Sequence, residues 1–262
     1  VEHVWYHRGY GISDLSDGRT GVYQNLVGAW RKSSGDRDAD GCAGKVINAT
    51  IDCMNVTEDE TMIAILDYDA GNIKSVEKAV HYLGEEAVIT RDKDLILSCD
   101  KVILPGVGSF GDAMGKLREY KLDQVIYDVV DAGTPFLGIC LGLQLLYKTS
   151  EESPEATGLG ILDGEILRIP DAPDLKVPQI GWNSLDITPG AKLFAGVEEH
   201  PYVYFVHSYY LKSKDEADVA ARTHYSVDIH ASVEKGNVFA CQFHPEKSST
   251  VGLKILDNFI HL

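Results

Sequence analysis

Three groups of residues in this chain have types and spacings that suit nucleophilic catalysis. Cys140 sits between two glycines in Gly138-Ile139-Cys140-Leu141-Gly142. A glycine two places before and two places after a nucleophile marks a sharp strand-to-helix turn, which needs small neighbours and pushes the central side chain into the open. The first N–H groups of the new helix carry partial positive charge, which favours the thiolate, the nucleophilic form. The second group is His244-Pro245-Glu246. Its imidazole can take the proton of Cys140, and its carboxylate can fix the ring's tautomer and stabilise the cation, as the third member of a triad does. Pro245 stiffens the segment between them. The third is the glycine-rich loop Pro105-Gly106-Val107-Gly108-Ser109-Phe110-Gly111. Taken singly, each has a plainer reading: a packed core cysteine, a histidine ending a strand, an ordinary turn. Their presence together favours the catalytic one.

The elements that must bring these groups together read as alternating strand and helix from Met62 onward. Apolar runs predict strands over 62–66, 87–90, 102–104 and 135–139, while Ile73, Val76, Val80 and Leu83, and then Leu122, Val125, Ile126 and Val129, recur at helical spacing. Fully apolar strands between amphipathic helices imply an α/β fold with a mostly parallel central sheet covered on both faces. In such folds ligands gather at the carboxyl ends of strands. Cys140, the Pro105 loop and His244 all fall at such ends. The second half is richer in strand, with segments expected over 165–169, 182–187, 202–206, 219–223, 229–233 and 238–243 and a closing helix over 251–260.

With 262 residues the chain can fill a domain of about 200 residues plus an appendage. A formal charge of -16 with no basic stripe argues against nucleic acid as a partner. No apolar run reaches the roughly 18 residues of a membrane span and no signal peptide opens the chain, so a cytoplasmic protein is expected. Cys42, Cys53, Cys99, Cys140 and Cys241 form an odd, widely spaced set that fits neither a disulfide framework nor a zinc site. No metal or organic cofactor is indicated. Residues 1–61 are rich in glycine and lack a sustained apolar period; they read as a poorly ordered N-terminal extension of unknown role, with Met62 resembling a native start.

Residues 62–262 resemble the class I, triad-type glutamine amidotransferases, and within them the glutaminase subunits of imidazole glycerol phosphate synthases. The matching stretches are Asp67-Tyr68-Asp69-Ala70-Gly71-Asn72, Leu104-Pro105-Gly106-Val107-Gly108-Ser109-Phe110, Gly138-Ile139-Cys140-Leu141-Gly142-Leu143-Gln144, Gly181-Trp182-Asn183, Tyr204-Phe205-Val206-His207-Ser208-Tyr209-Tyr210 and Gln242-Phe243-His244-Pro245-Glu246-Lys247-Ser248. Gln179 departs from the pattern, where His is expected. The resemblance implies hydrolysis of glutamine to glutamate and ammonia by Cys140, His244 and Glu246. It also implies oxyanion donors from Leu141 and from the Gly106, Val107 and Gly108 loop, and substrate contacts from Gln144, Ser208 and Tyr209. Asn72 and Lys247 are implied to face a partner, a (β/α)8-barrel cyclase forming a heterodimer that uses the ammonia in histidine biosynthesis. Three alternatives stay open: a glutaminase for another synthase, a catalytically silent module of the same fold, and a γ-glutamyl peptidase-like hydrolase acting alone.

Overall fold

Strand β1 (Met62–Leu66) shows why a doubly covered sheet forms. Ile63 and Ile65 pack into one apolar cluster and Ala64 and Leu66 into another, and all four are fully buried. A strand without a polar side has to lie between two layers. The computed structural model describes residues 61–262, and the expectation for the N-terminal extension lies outside the described residues.

After β1 come α1 (Ile73–Tyr82), β2 (Glu86–Thr90), α2 (Lys93–Ser98), β3 (Lys101–Leu104), α3 (Phe110–Glu119), α4 (Leu122–Asp131), β4 (Phe136–Ile139) and α5 (Leu141–Leu145). The second half holds β5 (Thr149–Ser150), β6 (Gly164–Arg168), β7 (Gln179–Ser184), β8 (Asp186–Ile187), β9 (Tyr202–His207), β10 (Tyr209–Ser213), β11 (Val219–Tyr225), β12 (Val227–Lys235), β13 (Val238–Cys241) and α6 (Ser249–Ile260). An eight-stranded sheet runs in the order β2-β1-β3-β4-β13-β12-β11-β8. The pairings from β2 to β13 are parallel and those from β13 to β8 antiparallel. Helices α2, α3, α4 and α5 cover one face, and α1 and α6 the other. The α/β class and the mostly parallel sheet are as expected.

Strands β3, β4 and β13 are immediate neighbours. Their carboxyl ends lead into the Pro105 loop, Cys140 and the segment before His244, so the topology gathers all three groups at one edge.

The structure corrects some element boundaries. The run expected as one strand over 182–187 divides at Leu185, which is buried and donates its N–H to the Pro201 carbonyl. Before the break β7 pairs with β9 in a two-stranded sheet, and after it β8 joins the main sheet. Strand β13 ends at Cys241, so Gln242 and Phe243 leave the ladder before His244. Strand β10 was not expected, because only Ser208 separates it from β9 and no turn residue marks the change of sheet. Helix α2 has a single buried residue, Ile96, and so shows no apolar stripe, whereas α3 buries Phe110, Ala113, Met114 and Leu117 at helical spacing, with Gly111 and Gly115 interleaved among them. Both are started by capping side chains: Asp92 accepts from the Leu95 N–H and Ser109 from the Asp112 N–H.

Candidate active site

Cys140 follows β4 directly and opens α5 with φ 55° and ψ -107°. Such a backbone costs on the order of 1–3 kcal/mol and persists only where its surroundings hold it. Here its N–H donates to the Cys241 carbonyl at 2.7 Å, and its carbonyl accepts from Leu143 and Gln144 at 3.1 and 3.3 Å. The flanking glycines are required by contact. A Cβ on Gly142 would stand 1.9 Å from the Leu104 carbonyl oxygen, and one on Gly138 2.8 Å from that of Gly142. Helix α5 begins hard against the end of β3, and only glycine fits there.

His244 lies behind Cys140, fully buried, with the extended backbone that a following proline imposes. Its Nδ1 is 2.7 Å from Glu246 Oε1, and the two side chains are 1% and 0% exposed. The amide of Asn72 donates to the same Glu246 oxygen at 2.6 Å and lies 3.5 Å from the imidazole. With Nδ1 turned to a carboxylate, Nε2 is the nitrogen left for proton transfer, and it is buried with no hydrogen-bond partner among the described residues. Burial opposes the charged imidazole, but close hydrogen-bonding approach to Cys140 and Glu246, with a smaller contribution from charge, outweighs it and raises the His244 pKa to about 9. Contacts between such a base and its nucleophile are often long before substrate binds and tighten afterwards.

A cavity of about 300 Å³ opens at Cys140, a size within the range of small-molecule sites. Val107, Gly108, Leu141, Gln144, Ser208 and Tyr209 border it. Gly106 does not: it packs behind the wall, against Tyr68 and Leu141. The Tyr68 hydroxyl donates to the Pro105 carbonyl at 2.8 Å, tying the loop to β1, and burial, with Cys140's charge, pushes the phenol's pKa up. Gln144 uses its amide N–H groups on the Tyr209 carbonyl and on Gln242 Oε1, both at 3.0 Å. Gln242 Nε2 lies 3.6 Å from Cys140 Sγ.

Sequence reasoning missed four residues at the cavity, Pro178, Val206, Glu152 and His207, of which the last two carry polar groups into it. Glu152 is the one carboxylate in the cavity lining, half-buried, with Oε2 accepting from the Phe110 N–H at 2.8 Å. It stands in a run of acidic and polar residues, 151–155, that carries no periodic signal. Burial pulls the His207 pKa down to about 4, so the ring is neutral; it donates from Nδ1 to the Tyr209 carbonyl at 2.8 Å. Its Nε2 is then an acceptor 2.9 Å from Gln179 Oε1, so the Gln179 amide has to turn end for end to offer it an N–H. That contact accounts for Gln179 locally. Asn72, implied to face a partner, has its amide on Glu246, while Lys247 is exposed and forms no ion pair among the described residues. Also among those residues, no group of three or more His, Cys, Asp or Glu side chains is placed to hold a metal, and no helix is long and apolar enough to cross a membrane.

Comparison with known proteins bears on this arrangement. The family model described as glutamine amidotransferase class-I matches residues 64–262. A Methanocaldococcus jannaschii protein named imidazole glycerol phosphate synthase subunit HisH is 47% identical over 201 residues, covering 77% of this chain and 100% of its own. A Bacillus cereus protein of the same name is 48% identical over 198 residues, covering 76% and 93%. Among solved structures, one described as a glutamine amidotransferase aligns with a TM-score of 0.61 at 23% identity, over 76% of this chain and 97% of that one. A chain from the structure of PurLQS from Thermotoga maritima aligns with a TM-score of 0.61 at 22% identity, over 78% and 99%. At those identities the structural likenesses speak for the fold alone.

Proposed function

Since this chain belongs to the class I glutamine amidotransferase family, we propose that it hydrolyses glutamine with Cys140, His244 and Glu246 and hands the ammonia to a cyclase subunit. That subunit makes imidazole glycerol phosphate and aminoimidazole carboxamide ribotide in histidine biosynthesis. The observation that carries this reading is the buried His244–Glu246 pair set behind a cysteine that opens onto a cavity.

The chemistry follows from the placement. Cys140 Sγ attacks the carbon of the substrate's side-chain amide, and the C–N bond breaks as His244 Nε2 delivers a proton to the departing ammonia. A water, losing its proton to the same nitrogen, then splits the γ-glutamyl thioester and frees glutamate and the thiolate. Each tetrahedral intermediate carries an oxyanion. Leu141, as the first residue of α5, has an N–H that no intrahelical carbonyl can take, and the Val107 and Gly108 loop borders the same space. One such donor is typically worth about 3–4 kcal/mol of barrier. Glu152 is the natural partner for the α-ammonium of glutamine, and Ser208 and Tyr209 bound the space for its α-carboxylate end.

The partner reading has its own support. On the β7–β9 sheet Ile180 is paired with Val206, Trp182 with Tyr204 and Ser184 with Tyr202, and residues paired this way share a face. Ile180, Trp182 and Tyr202 are 64%, 51% and 60% exposed. A contiguous apolar and aromatic patch of this kind is characteristic of interfaces. Val206 belongs both to that face and to the cavity lining, so a subunit docked there would sit beside the point of ammonia release. The subunit nature of the relatives and the cytoplasmic setting of such biosynthesis agree with this.

The test is glutamate release by the purified chain, alone and with the cyclase of an imidazole glycerol phosphate synthase and its ribotide ligand, with Cys140→Ala as control. Strong stimulation by the liganded cyclase, abolished in the variant, supports the assignment. Turnover indifferent to the cyclase moves the chain to another synthase or to a stand-alone hydrolase.

A further inference from the structure

Gln242 is fully buried, two residues before His244, on the short segment between β13 and the imidazole. A buried primary amide has to place both its ends. Near one end is Gln144 Nε2 at 3.0 Å, and near the other is Cys140 Sγ at 3.6 Å, within the longer reach of a sulfur acceptor. Which end of an amide carries nitrogen is normally an assignment made from the network. Here the network leaves one choice. The Gln144 amide meets the Tyr209 backbone carbonyl at 3.0 Å, and a carbonyl only accepts, so that end of Gln144 is its NH2 group. The same NH2 group meets Gln242, which must turn its oxygen to it. The Gln242 NH2 group therefore points at the sulfur. From the Tyr209 carbonyl through Gln144 and Gln242, the polarity of the run is fixed and it ends as a donor on Cys140.

We propose that Gln242 is a catalytic residue that donates a hydrogen bond to the Cys140 thiolate, and that Gln144 is the positioning residue that orients it. The inference rests on reading Cys140 as the nucleophile. An N–H donor bonds an anionic sulfur more strongly than a neutral thiol, and the site's burial strengthens the difference. Gln242 supplies what His244 cannot supply throughout. The imidazolium gives up its proton when ammonia leaves, whereas the Gln242 N–H keeps its proton and is still there when thioester hydrolysis expels the thiolate. The relay also limits what Gln144 offers the substrate. With both N–H groups committed to Tyr209 and Gln242, its Oε1 is the end left to face the cavity, as an acceptor for an N–H of glutamine.

The experiment is alkylation of Cys140 by iodoacetamide, followed by peptide mass mapping across a pH series, in the full chain and in the Gln242→Met and Gln144→Met variants, whose folding is checked by thermal melting. Because no glutamine is present, substrate binding does not enter. Removing the donor is expected to slow alkylation at pH 7 about tenfold and to move the rise in rate to higher pH, the equivalent of about one unit of proton affinity. Gln144→Met should move it the same way by less. A folded Gln242→Met chain that alkylates along the wild-type profile overturns the proposal. If that variant does not fold, an unchanged profile in Gln144→Met does so. Failure of the glutaminase reading looks different: wild type would then release no glutamate with or without the cyclase, whatever the alkylation profiles.

Discussion

Asn72 and Glu246, 174 positions apart in the chain, are joined by a 2.6 Å hydrogen bond from the asparagine amide to carboxylate Oε1. That oxygen also faces His244 Nδ1 at 2.7 Å, so one atom receives both groups that orient the candidate base. The turn carrying Asn72 is itself held. Asp69 and Asn72 both have positive φ, 65° and 70°. Arg91 donates to Asp67 and Asp69 at 2.7 and 2.8 Å, and the Tyr120 hydroxyl closes on Asp69 as well. Asn72→Ala leaves a buried carboxylate short of a donor, where such a bond is worth about 1.5–3 kcal/mol. Glutamate release should lose about tenfold or more in kcat with KM for glutamine little changed. A KM effect alone would move Asn72 from positioning the base to binding substrate.

Glu152 tests substrate recognition separately from chemistry. Glu152→Gln keeps the acceptor for the Phe110 N–H and removes the charge, so KM for glutamine should rise about ten- to a hundredfold, as loss of a charge-assisted contact does, with kcat within a few-fold of wild type. Steady-state kinetics decide it, and an unchanged KM removes Glu152 from the substrate site.

Two buried histidines give stability opposite pH slopes. The His244 pKa is raised to about 9 in the fold, above its ordinary value of 6.5, so its contribution is complete below pH 6.5 and is lost as pH rises through about 9. The His207 pKa is lowered to about 4, so its contribution is complete above pH 6.5 and is lost as pH falls toward 4; His230, also lowered chiefly by burial, adds to the acid side. Thermal stability should therefore peak near pH 6.5. His207→Gln should flatten the acid limb and leave the alkaline one. Stability that climbs steadily from pH 6.5 to 9 would contradict the ion-paired state of His244.

Gly142→Ala tests the elbow. The added carbon would stand 1.9 Å from a backbone oxygen of β3, which no side-chain rotation relieves. Overpacking of this kind costs about 1–3 kcal/mol or more. Denaturant melting should show at least that loss, and a wild-type midpoint would mean that α5 can move away from β3 freely.

Much of this site was legible because its chemistry sits on short, contiguous signals. Gly138-Ile139-Cys140-Leu141-Gly142 and His244-Pro245-Glu246 each place reactive types at fixed spacing, and fully apolar strands announced the sheet that aligns them. The contacts that complete the site were not legible, for a physical reason. Asn72 reaches Glu246 across the α1 side of the sheet, and Gln242 reaches Cys140 from the segment just after the neighbouring strand β13, both through register between segments far apart in sequence. A buried glutamine closing an apolar run was the only local sign of the second. Glu152 gave none, since an acidic residue in a polar run normally reads as solvated surface. Strand β10 was hidden because a chain can change sheets at a single residue when neither turn chemistry nor glycine is needed.

The central claim is that Cys140 is the nucleophile for glutamine. The most direct measurement is the intact and peptide mass of the chain after reaction with a glutamine-analogue electrophile such as a diazoketone, with Cys140→Ala alongside and free glutamine as competitor. The account predicts one adduct per chain, on Cys140, suppressed by glutamine and absent from the variant, with Cys99 and Cys241, buried like Cys140 but outside the cavity lining, untouched. An adduct on another residue, or glutamine hydrolysis that continues in Cys140→Ala, would contradict it.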